Sequence, residues 1–505
     1  MTNEITDQEA CMAPIVELAQ GALRGKEIPE GAVFLGVPYA APPVGALRFR
    51  EPAPVEPWQG VRDATDYSAT APKPPYAKPF DRLLDDPVKK GDDYLTVNLW
   101  TPDPDAAGLP VMVWIHGGAF RNGSNMVPWY DGAAFARDGV VLVSVNYRLG
   151  VEGFALFPDA PPNRGILDQL AALEWVRDNV SAFGGDPARV TIFGESAGGM
   201  SVTTLMSLPQ AQGLFRGVIA QSGAGHTVAK AEDARLVTGE LAAMLGVEPT
   251  AAAVAEVDRD HLVDTQAALA MELTRNPDPG RWGPSVVAST MAFLPVQDGT
   301  VIARRPVDAI ADGAGADVAL MTGTTAHEFR FFLQPVGLID AMSADGLRAW
   351  VTARGWDPAI IDAYTAAVPG SSPGDVLAAL RTDSFFRVPA ARLAEAHSEA
   401  PAPTYLYEFT WETPLAGMGS CHALEIPFVF DGLAGAQGRP LYGDDLPQSL
   451  ADAMHGAWVA FAKDLDPGWT AFDPDKRTTM VFGRPETGPV QDPHAALDPF
   501  WQGVV

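Results

Sequence analysis

The stretch VTIFGESAGGM, from Val190 to Met200, decides the fold. Strand-forming residues lead into it, and the helix-like run AGGMSVTTLMSL leads out of it. Between them, Ser196 lies in the pattern Gly-x-Ser-x-Gly. A strand, a tight turn and a helix in this order predict a nucleophile elbow, a strained turn that exposes the serine hydroxyl above a sheet.

The same pattern occurs a second time, in GSSPG from Gly370 to Gly374. The residues before this copy, AYTAAVP, are not typical of a strand, and Pro373 directly follows Ser372. Serine followed by proline at the start of a helical run is typical of an N-cap and a first helical turn. We therefore predict a helix-capping loop here, and Ser196 as the nucleophile.

Strands and helices alternate along the chain from Leu109 to Gly223. VMVWIH (Val111–His116) and VVLVSVNYR (Val140–Arg148) are continuous apolar runs, as expected of strands that are buried on both faces. Between Arg164 and Phe183, apolar residues recur every three or four positions, which indicates one face of a helix. The alternation predicts the α/β class, with a mostly parallel, twisted sheet and helices on both faces.

The 505 residues are enough to bury a large core. After about residue 225 the chain becomes rich in alanine and helical in pattern. Helices are predicted in Asp233–Leu245, Arg259–Leu273 and Ser343–Ala367. Sheet strands resume at Val318–Thr325 and Pro403–Trp411. We expect a single catalytic domain over residues 1–505, with helical insertions at about 228–281 and 329–381 that cover the active site.

The composition excludes several kinds of partner. Lys and Arg number 35 against 63 Asp and Glu, so the net charge is −28, which repels nucleic acid and anionic membranes. No apolar run is long enough to span a membrane, and the beginning, MTNEITDQEA, does not resemble a signal peptide. Cys11 and Cys421 could form one bridge but do not constitute a disulfide framework. These features favour a cytoplasmic protein.

A serine nucleophile needs a base, and the base needs an acid that orients it. After an elbow of this kind, the acid and then the histidine follow along the chain. Four histidines lie well beyond a plausible acid. His422 lies in a loop of small residues after a predicted strand, whereas the other three lie in helices or in a proline-flanked tail: His397, His455 and His494. Glu328 directly follows a predicted strand and is the favoured acid. Asp298, in the turn PVQDG, is the alternative.

The stretch WIHGGAF, from Trp114 to Phe120, leaves a strand and enters a loop with two consecutive glycines. Such a loop can direct several backbone N–H groups at one point, where they would hold a developing oxyanion. The alternative interpretation is a simple glycine turn.

Together these residues resemble the type-B carboxylesterase/cholinesterase family of α/β-hydrolases, and within it the bacterial para-nitrobenzyl-esterase-like carboxylesterases. The resemblance covers most of the chain. Besides WIHGGAF, it is carried by FLGVPYAAPPVGALRF (Phe34–Phe49), GDDYLTVNLWTP (Gly91–Pro102), SVNYRLG (Ser144–Gly150), Leu167–Gly199 and HALEIPFVF (His422–Phe430). It implies a serine carboxylesterase that hydrolyses soluble, short-to-medium esters and requires neither a metal nor a cofactor.

The resemblance also implies roles for single residues. The triad would be Ser196, Glu328 and His422. The oxyanion N–H groups would come from Gly118, Ala119 and Ala197. A polar network behind the histidine, which simple packing would equally explain, would comprise Glu195, Ser222 and Glu425. Buried ion pairs would join Arg48 to Asp92 and Arg148 to Asp168. No tryptophan occurs between Trp58 and Trp100, which argues against a choline-ester specialist.

Two other functions fit the same fold. A non-enzymatic adhesion protein would typically lack part of the triad, and here all three residues are present. A lipase would work at an oil–water interface, for which the sequence offers no evident apolar lid helix. We therefore favour hydrolysis of a dissolved small-molecule ester, by a protein expected to be monomeric. Four residues are candidates for lining the pocket: Trp129, Phe329, Phe332 and His226.

Overall fold

A computed structural model of the chain describes residues 13–483 and 486–504. The polar N-terminal stretch and Cys11 lie outside these residues, so the possible bridge from Cys11 is not addressed. Cys421 is completely buried. Within the described residues, no helix is both long and apolar enough to cross a lipid bilayer.

A large mixed sheet forms the centre of the molecule. Its eleven strands within the described residues are β1 (Lys26–Ile28), β2 (Gly31–Pro38), β3 (Thr96–Thr101), β4 (Leu109–Ile115), β5 (Val141–Val145), β6 (Gly185–Glu195), β7 (Gly217–Gln221), β8 (Ala319–Thr325), β9 (Thr404–Phe409), β10 (Thr478–Phe482) and β11 (Gly488–Gln491). Their order across the sheet is β11-β10-β9-β8-β7-β6-β4-β5-β3-β2-β1. Two smaller sheets contain Ile15–Leu18, Gly21–Arg24 and Val61–Asp63, and Ala229–Lys230 and Val296–Gln297.

The strands from β5 across to β10 are parallel to their neighbours, and the two edges are antiparallel. Every residue of β5 and β7 is buried, and only the first residue of β4 is not. Helices cover both faces of such strands, which is why they are continuous apolar runs in the sequence. The predicted α/β class with a mostly parallel sheet is confirmed, and the chain has the α/β-hydrolase fold.

Helices lie on the sheet and in the connections that follow β7 and β8. Those between or beside the strands are Ala133–Arg137, Gly150–Phe154, Arg164–Asn179, Ala197–Ser207, Pro306–Ala311, Val388–His397, Ile426–Val429, Leu433–Ala436 and Gln448–Asp464. Those after β7 are Ala231–Leu245, Ala251–Ala255, Arg259–Arg275, Pro279–Trp282 and Pro284–Ser289. Those after β8 are Arg330–Leu333, Leu338–Ala341, Ala344–Ala353, Ala359–Ala367 and Pro373–Thr382, followed by the π-helical turn Asp383–Arg387.

Two expectations from the sequence need correction. The stretch Ser343–Ala367 forms two helices instead of one continuous helix, because Gly355, with φ 71°, and Pro358 interrupt it. The predicted ion pair between Arg48 and Asp92 is wrong.

Arg48 instead pairs with the buried Glu152, at 2.8 Å, and donates to the Ala255 carbonyl at 2.7 Å. Asp92 lies in an exposed loop and pairs with Arg259 at 2.7 Å. The pair of the half-buried Arg48 with the buried Glu152 is less screened by water than a pair with the exposed Asp92 would be.

The second expected pair is present. Arg148 and Asp168 are fully buried, and they form a two-pronged contact with distances of 2.7 Å from Nε and 2.6 Å from Nη2. The carboxylate also accepts the Arg148 backbone N–H at 3.0 Å. This pair fixes the loop after β5 to the helix Arg164–Asn179, which packs beside the elbow strand.

Candidate active site

The elbow forms where the sequence predicts it. Strand β6 ends at Glu195, and the next helix begins at Ala197. Ser196 between them has φ 57° and ψ −120°, a region that residues with side chains seldom occupy. A Cβ at Gly198 would lie 1.9 Å from the Ile115 carbonyl oxygen, so the turn requires glycine at that position.

Three side chains from distant parts of the chain meet at the elbow. His422 Nε2 lies 2.9 Å from Ser196 Oγ, and His422 Nδ1 lies 2.6 Å from Glu328 Oε2. Glu328 is completely buried, and its Oε1 accepts the Thr325 N–H at 2.9 Å. Ser196 is partly exposed. The arrangement leaves the hydroxyl accessible while the acid behind the imidazole is kept from water.

The loop after β4 lies against the serine. Gly118, Ala119 and Phe120 have φ values of 113°, 54° and 55°, which turn consecutive N–H groups away from ordinary strand directions. A Cβ on Gly117 would lie 3.1 Å from Ser196 Cβ. In the described part of the chain, the N–H groups of Gly118 and Ala119 have no partner, so they are available to an oxygen at the serine. The N–H of Ala197 begins the next helix.

Two further buried carboxylates lie near Ser196, Glu328 and His422. Glu195 Oε1 lies 3.1 Å from His422 Nε2, and Glu425 Oε1 accepts a 3.1 Å hydrogen bond from Gln221 Nε2. Burial raises the pKa of Glu195 to about 8, with smaller contributions from nearby carboxylates, and burial raises the pKa of Glu425 to about 7. Ser222, completely buried, lies at the end of the neighbouring strand β7, and its Oγ makes no hydrogen bond with described residues.

These charges act on the imidazole. Burial lowers the pKa of His422, and the charges of Glu195 and Glu328 more than offset that effect, so its pKa is raised to about 9. An imidazole free in water has a pKa of about 6.5, and the carboxylate of Glu195 beside Nε2 was not foreseen from the sequence as a direct neighbour. A negative charge beside the imidazole stabilises its protonated form.

Aromatic rings surround the imidazole. The ring centroids of Phe386 and Phe332 lie 4.8 and 5.1 Å from that of His422. Among the residues predicted to line the pocket, Phe332 lies beside the histidine. Phe329 packs against Phe332, with 5.1 Å between their ring centroids. Trp129, by contrast, packs against Tyr442. Phe386 was not predicted from the sequence, although its aromatic pair in DSFFR was an available signal.

His226, the fourth candidate, is influenced by a different set of charges from those beside Ser196. Its Nδ1 is buried without a hydrogen-bond partner in the described residues, and burial lowers its pKa to about 4. The charged groups that influence it are Arg305, Asp308 and Arg392. None of these belongs to the group around Ser196.

The competing residues have other contacts. Ser372 caps the helix Pro373–Thr382 and forms a capping box with Asp375, as predicted for the second Gly-x-Ser-x-Gly pattern. Asp298 accepts the N–H groups of its own turn, from Thr300, Val301 and Ile302. The other late histidines bond elsewhere, in the pairs His397–Thr404, His455–Val429 and His494–Glu408.

No group of three or more histidine, cysteine or acidic side chains in residues 13–483 and 486–504 has the arrangement of a metal site. The groups that meet at the elbow are a serine hydroxyl, an imidazole and backbone N–H groups without partners among the described residues.

The fold and this site define an α/β-hydrolase of the serine-esterase kind. The chain belongs to the carboxylesterase family, which matches residues 12–487, and it is a carboxylic ester hydrolase. It is 35% identical to the para-nitrobenzyl esterase of Bacillus subtilis over 482 residues, which cover 93% of this chain and 94% of that enzyme.

Other comparisons agree. Identity to the phenmedipham hydrolase of Pseudarthrobacter oxydans is 36% over 491 residues, covering 93% of this chain and 95% of the relative. The crystal structure of a Geobacillus stearothermophilus carboxylesterase superposes with a TM-score of 0.83 at 33% identity, covering 97% of this chain and 100% of that one. A para-nitrobenzyl esterase structure superposes with a TM-score of 0.81 at 31% identity, covering 97% of this chain and 99% of that one.

Proposed function

We propose that the chain hydrolyses short-to-medium, dissolved carboxylic esters through an acyl-enzyme on Ser196. The supporting observation is the continuous line of contacts from Ser196 Oγ to His422 Nε2 at 2.9 Å and from His422 Nδ1 to Glu328 Oε2 at 2.6 Å. A carboxylate accepts hydrogen bonds, so Nδ1 carries the proton and Nε2 is left to accept the serine proton.

In the first half of the reaction, Ser196 Oγ attacks the ester carbonyl carbon while its proton passes to His422 Nε2. The carbonyl oxygen becomes an oxyanion that the N–H groups of Gly118, Ala119 and Ala197 stabilise, each by about 3 kcal/mol. Glu328 holds the imidazole in the required orientation and stabilises its charged form. When the intermediate collapses, His422 gives its proton to the leaving alkoxide, and the alcohol departs.

In the second half, water replaces the alcohol. His422 removes a proton from the water, whose oxygen attacks the acyl carbon, and the same N–H groups stabilise the second oxyanion. Protonation of Ser196 Oγ by His422 then releases the carboxylic acid and restores the enzyme. Glu195, Ser222 and Glu425 serve as a supporting network behind the reacting groups, and Phe332 and Phe386 supply apolar surface beside them.

The decisive experiment compares two serines in the same sequence pattern. Ser196→Ala should reduce kcat on p-nitrophenyl butyrate by roughly 10⁶-fold and abolish labelling by a fluorophosphonate probe. Ser372→Ala is the matched control, because Ser372 caps a helix. It should remain labelled and active, with a stability loss of about 1 kcal/mol. Retention of a tenth of the activity by Ser196→Ala would exclude this nucleophile.

The other expectations stay predictions. A panel of p-nitrophenyl esters with increasing acyl length tests the preference for short-to-medium chains, and a rate that jumps above the solubility limit of a triglyceride would favour a lipase instead. From the sequence we likewise propose that residues 1–505 form one domain with helical insertions and that the protein is monomeric. We also propose that it has no nucleic-acid partners and is a cytoplasmic, bacterial enzyme.

A further inference from the structure

An arginine without an acidic partner lies next to the oxyanion loop. Arg121 is the second residue after Ala119, and its N–H donates to the Gly118 carbonyl at 3.0 Å, which closes the turn. The Cα atoms of Ala119 and Arg121 are therefore at most about 7.6 Å apart. A long side chain at this position begins within reach of a substrate bound at Ser196.

Its surroundings hold only one end of the guanidinium group. Arg121 Nε donates to Asn122 Oδ1 at 3.2 Å, and Asn122 is itself fixed by donating to Asp86 Oδ2 at 2.9 Å and to the Pro74 carbonyl at 2.6 Å. The two Nη atoms of Arg121 make no hydrogen bond or ion pair with described residues, and they are not sealed from solvent. The four N–H donors on the two Nη atoms are thus available at the outer end of the group.

Several other partly or fully buried arginines in the described chain have partners for their Nη atoms. Arg164 donates to four backbone carbonyls. Arg48, Arg148 and Arg387 each contact a carboxylate within 3 Å. Arg121 is half-buried, and burial lowers its pKa. Removing a cation from water without a counter-ion is unfavourable, so such a group marks a place where an anion from outside can bind.

The remaining neighbour links Arg121 to the reacting groups. Tyr76 lies close enough to both Arg121 and Glu195 for each to act on its hydroxyl, with burial raising the pKa of Tyr76 most strongly. Glu195 in turn lies 3.1 Å from His422 Nε2. Tyr76 and Glu195 therefore connect the electrostatic surroundings of Arg121 to those of His422.

We propose that Arg121 is a substrate-binding residue that recognises a carboxylate on the ester, so that the enzyme prefers esters carrying a second, ionised carboxylate. This inference rests on the proposed function at Ser196. A guanidinium fork matches the two oxygens of a carboxylate, and a charge-assisted pair in a partly dry site is stronger than one on the surface. The acidic surface, with net charge −28, slows the approach of such a substrate without removing the local contact.

The test uses matched esters, in which only one group changes. On the acyl side, p-nitrophenyl hydrogen adipate is compared with p-nitrophenyl hexanoate. On the alcohol side, 3-carboxyphenyl butyrate is compared with phenyl butyrate. For Arg121→Gln, we expect kcat/KM to fall at least tenfold on one carboxylate-bearing ester and less than threefold on its neutral counterpart. The pair that responds shows on which side of the scissile bond the carboxylate binds.

Two further variants complete the design. Arg121→Lys keeps the charge but not the fork, and should recover part of the lost rate on the carboxylate-bearing ester. Arg235→Gln removes one positive charge from the exposed face of the helix Ala231–Leu245. It should leave the ratio of kcat/KM between charged and neutral ester unchanged in both ester pairs. In the wild type, raising the salt concentration should reduce the difference in kcat/KM between the carboxylate-bearing ester and its neutral counterpart. In Arg121→Gln, salt should not change that difference.

Equal loss on charged and neutral esters in Arg121→Gln would overturn the inference, because it would indicate a role in folding or in the oxyanion loop. The inference would also be overturned if Arg121→Gln and the wild type had the same ratio of kcat/KM between charged and neutral ester in both pairs. Neither result would contradict the proposed function, because that function is tested by the loss of activity toward neutral esters in Ser196→Ala.

Discussion

His422 Nε2 lies 3.1 Å from Glu195 Oε1 while it also lies 2.9 Å from Ser196 Oγ. The residue that precedes the serine in the chain therefore places a carboxylate at the same imidazole nitrogen that faces the Ser196 hydroxyl. Glu328 acts on the opposite nitrogen, at 2.6 Å. The imidazole is thus enclosed between two acidic groups, and its proton affinity reflects both.

The pH dependence of catalysis should reflect this enclosure. His422 acts as a base only when it is neutral, and its pKa is raised to about 9 because the charges of Glu195 and Glu328 outweigh the effect of burial. We therefore expect kcat/KM to keep rising with pH between 7 and 9, instead of levelling off just above 6.5. Initial rates on a neutral ester at constant ionic strength measure this. A plateau by pH 7 would contradict it.

Glu195→Gln should shift the pH range over which kcat/KM rises, which is the acid limb of the pH profile. The substitution keeps the shape of the side chain and removes its charge, so protonated His422 loses a stabilising neighbour and its pKa falls. The acid limb of kcat/KM should shift to lower pH by about one unit or more. Glu425→Gln is a graded comparison, since Glu425 acts more weakly on His422, and should shift the limb less. An unmoved limb in Glu195→Gln would show that this carboxylate is uncharged in the working enzyme.

Glu328→Gln should reduce kcat by about 10⁴-fold with little change in the folded structure, because an amide favours the wrong imidazole tautomer. The control is Asp298→Asn, at the alternative acid proposed from the sequence. Asp298 accepts N–H groups within its own turn, so this variant should unfold more easily but turn over normally while folded. Steady-state kinetics and circular dichroism distinguish the two. A larger kinetic loss in Asp298→Asn would reverse the assignment.

The buried pair Arg148–Asp168 should matter for stability more than any exposed pair. Asp168→Asn leaves a completely buried guanidinium without its counter-ion, which should lower the free energy of unfolding by about 3–5 kcal/mol. Asp92→Asn breaks the exposed pair with Arg259 and should cost less than about 1 kcal/mol. Urea unfolding followed by tryptophan fluorescence measures both. Similar losses in the two variants would refute the distinction.

Local signals explain what the sequence predicted well. The elbow at Ser196 and the central strands follow from short runs of residues, since an apolar strand next to a glycine-flanked serine has few other ways to fold. The order serine, acid, histidine then led to Glu328 and His422, which the structure brings together.

Contacts between distant segments could not be predicted in the same way. The partner of Arg48 depends on how the loop of Asp92 and the helix Gly150–Phe154 pack, and the sequence alone did not indicate Glu152. Phe386 reaches His422 from a π-helical turn more than thirty positions away, within an insertion whose path is set by tertiary packing. Arg121 was adjacent to a recognised motif, but its lack of an acidic partner is visible only in three dimensions.

The separation of Ser196 and His422 by 226 positions also has a consequence for synthesis. A ribosome-bound chain that already contains the elbow has no imidazole beside its hydroxyl until residue 422 has emerged and strand β9 has joined the sheet. The hydroxyl therefore stays unreactive until that point of translation, and the onset of fluorophosphonate reactivity in stalled chains of increasing length would time the addition of β9 to the sheet.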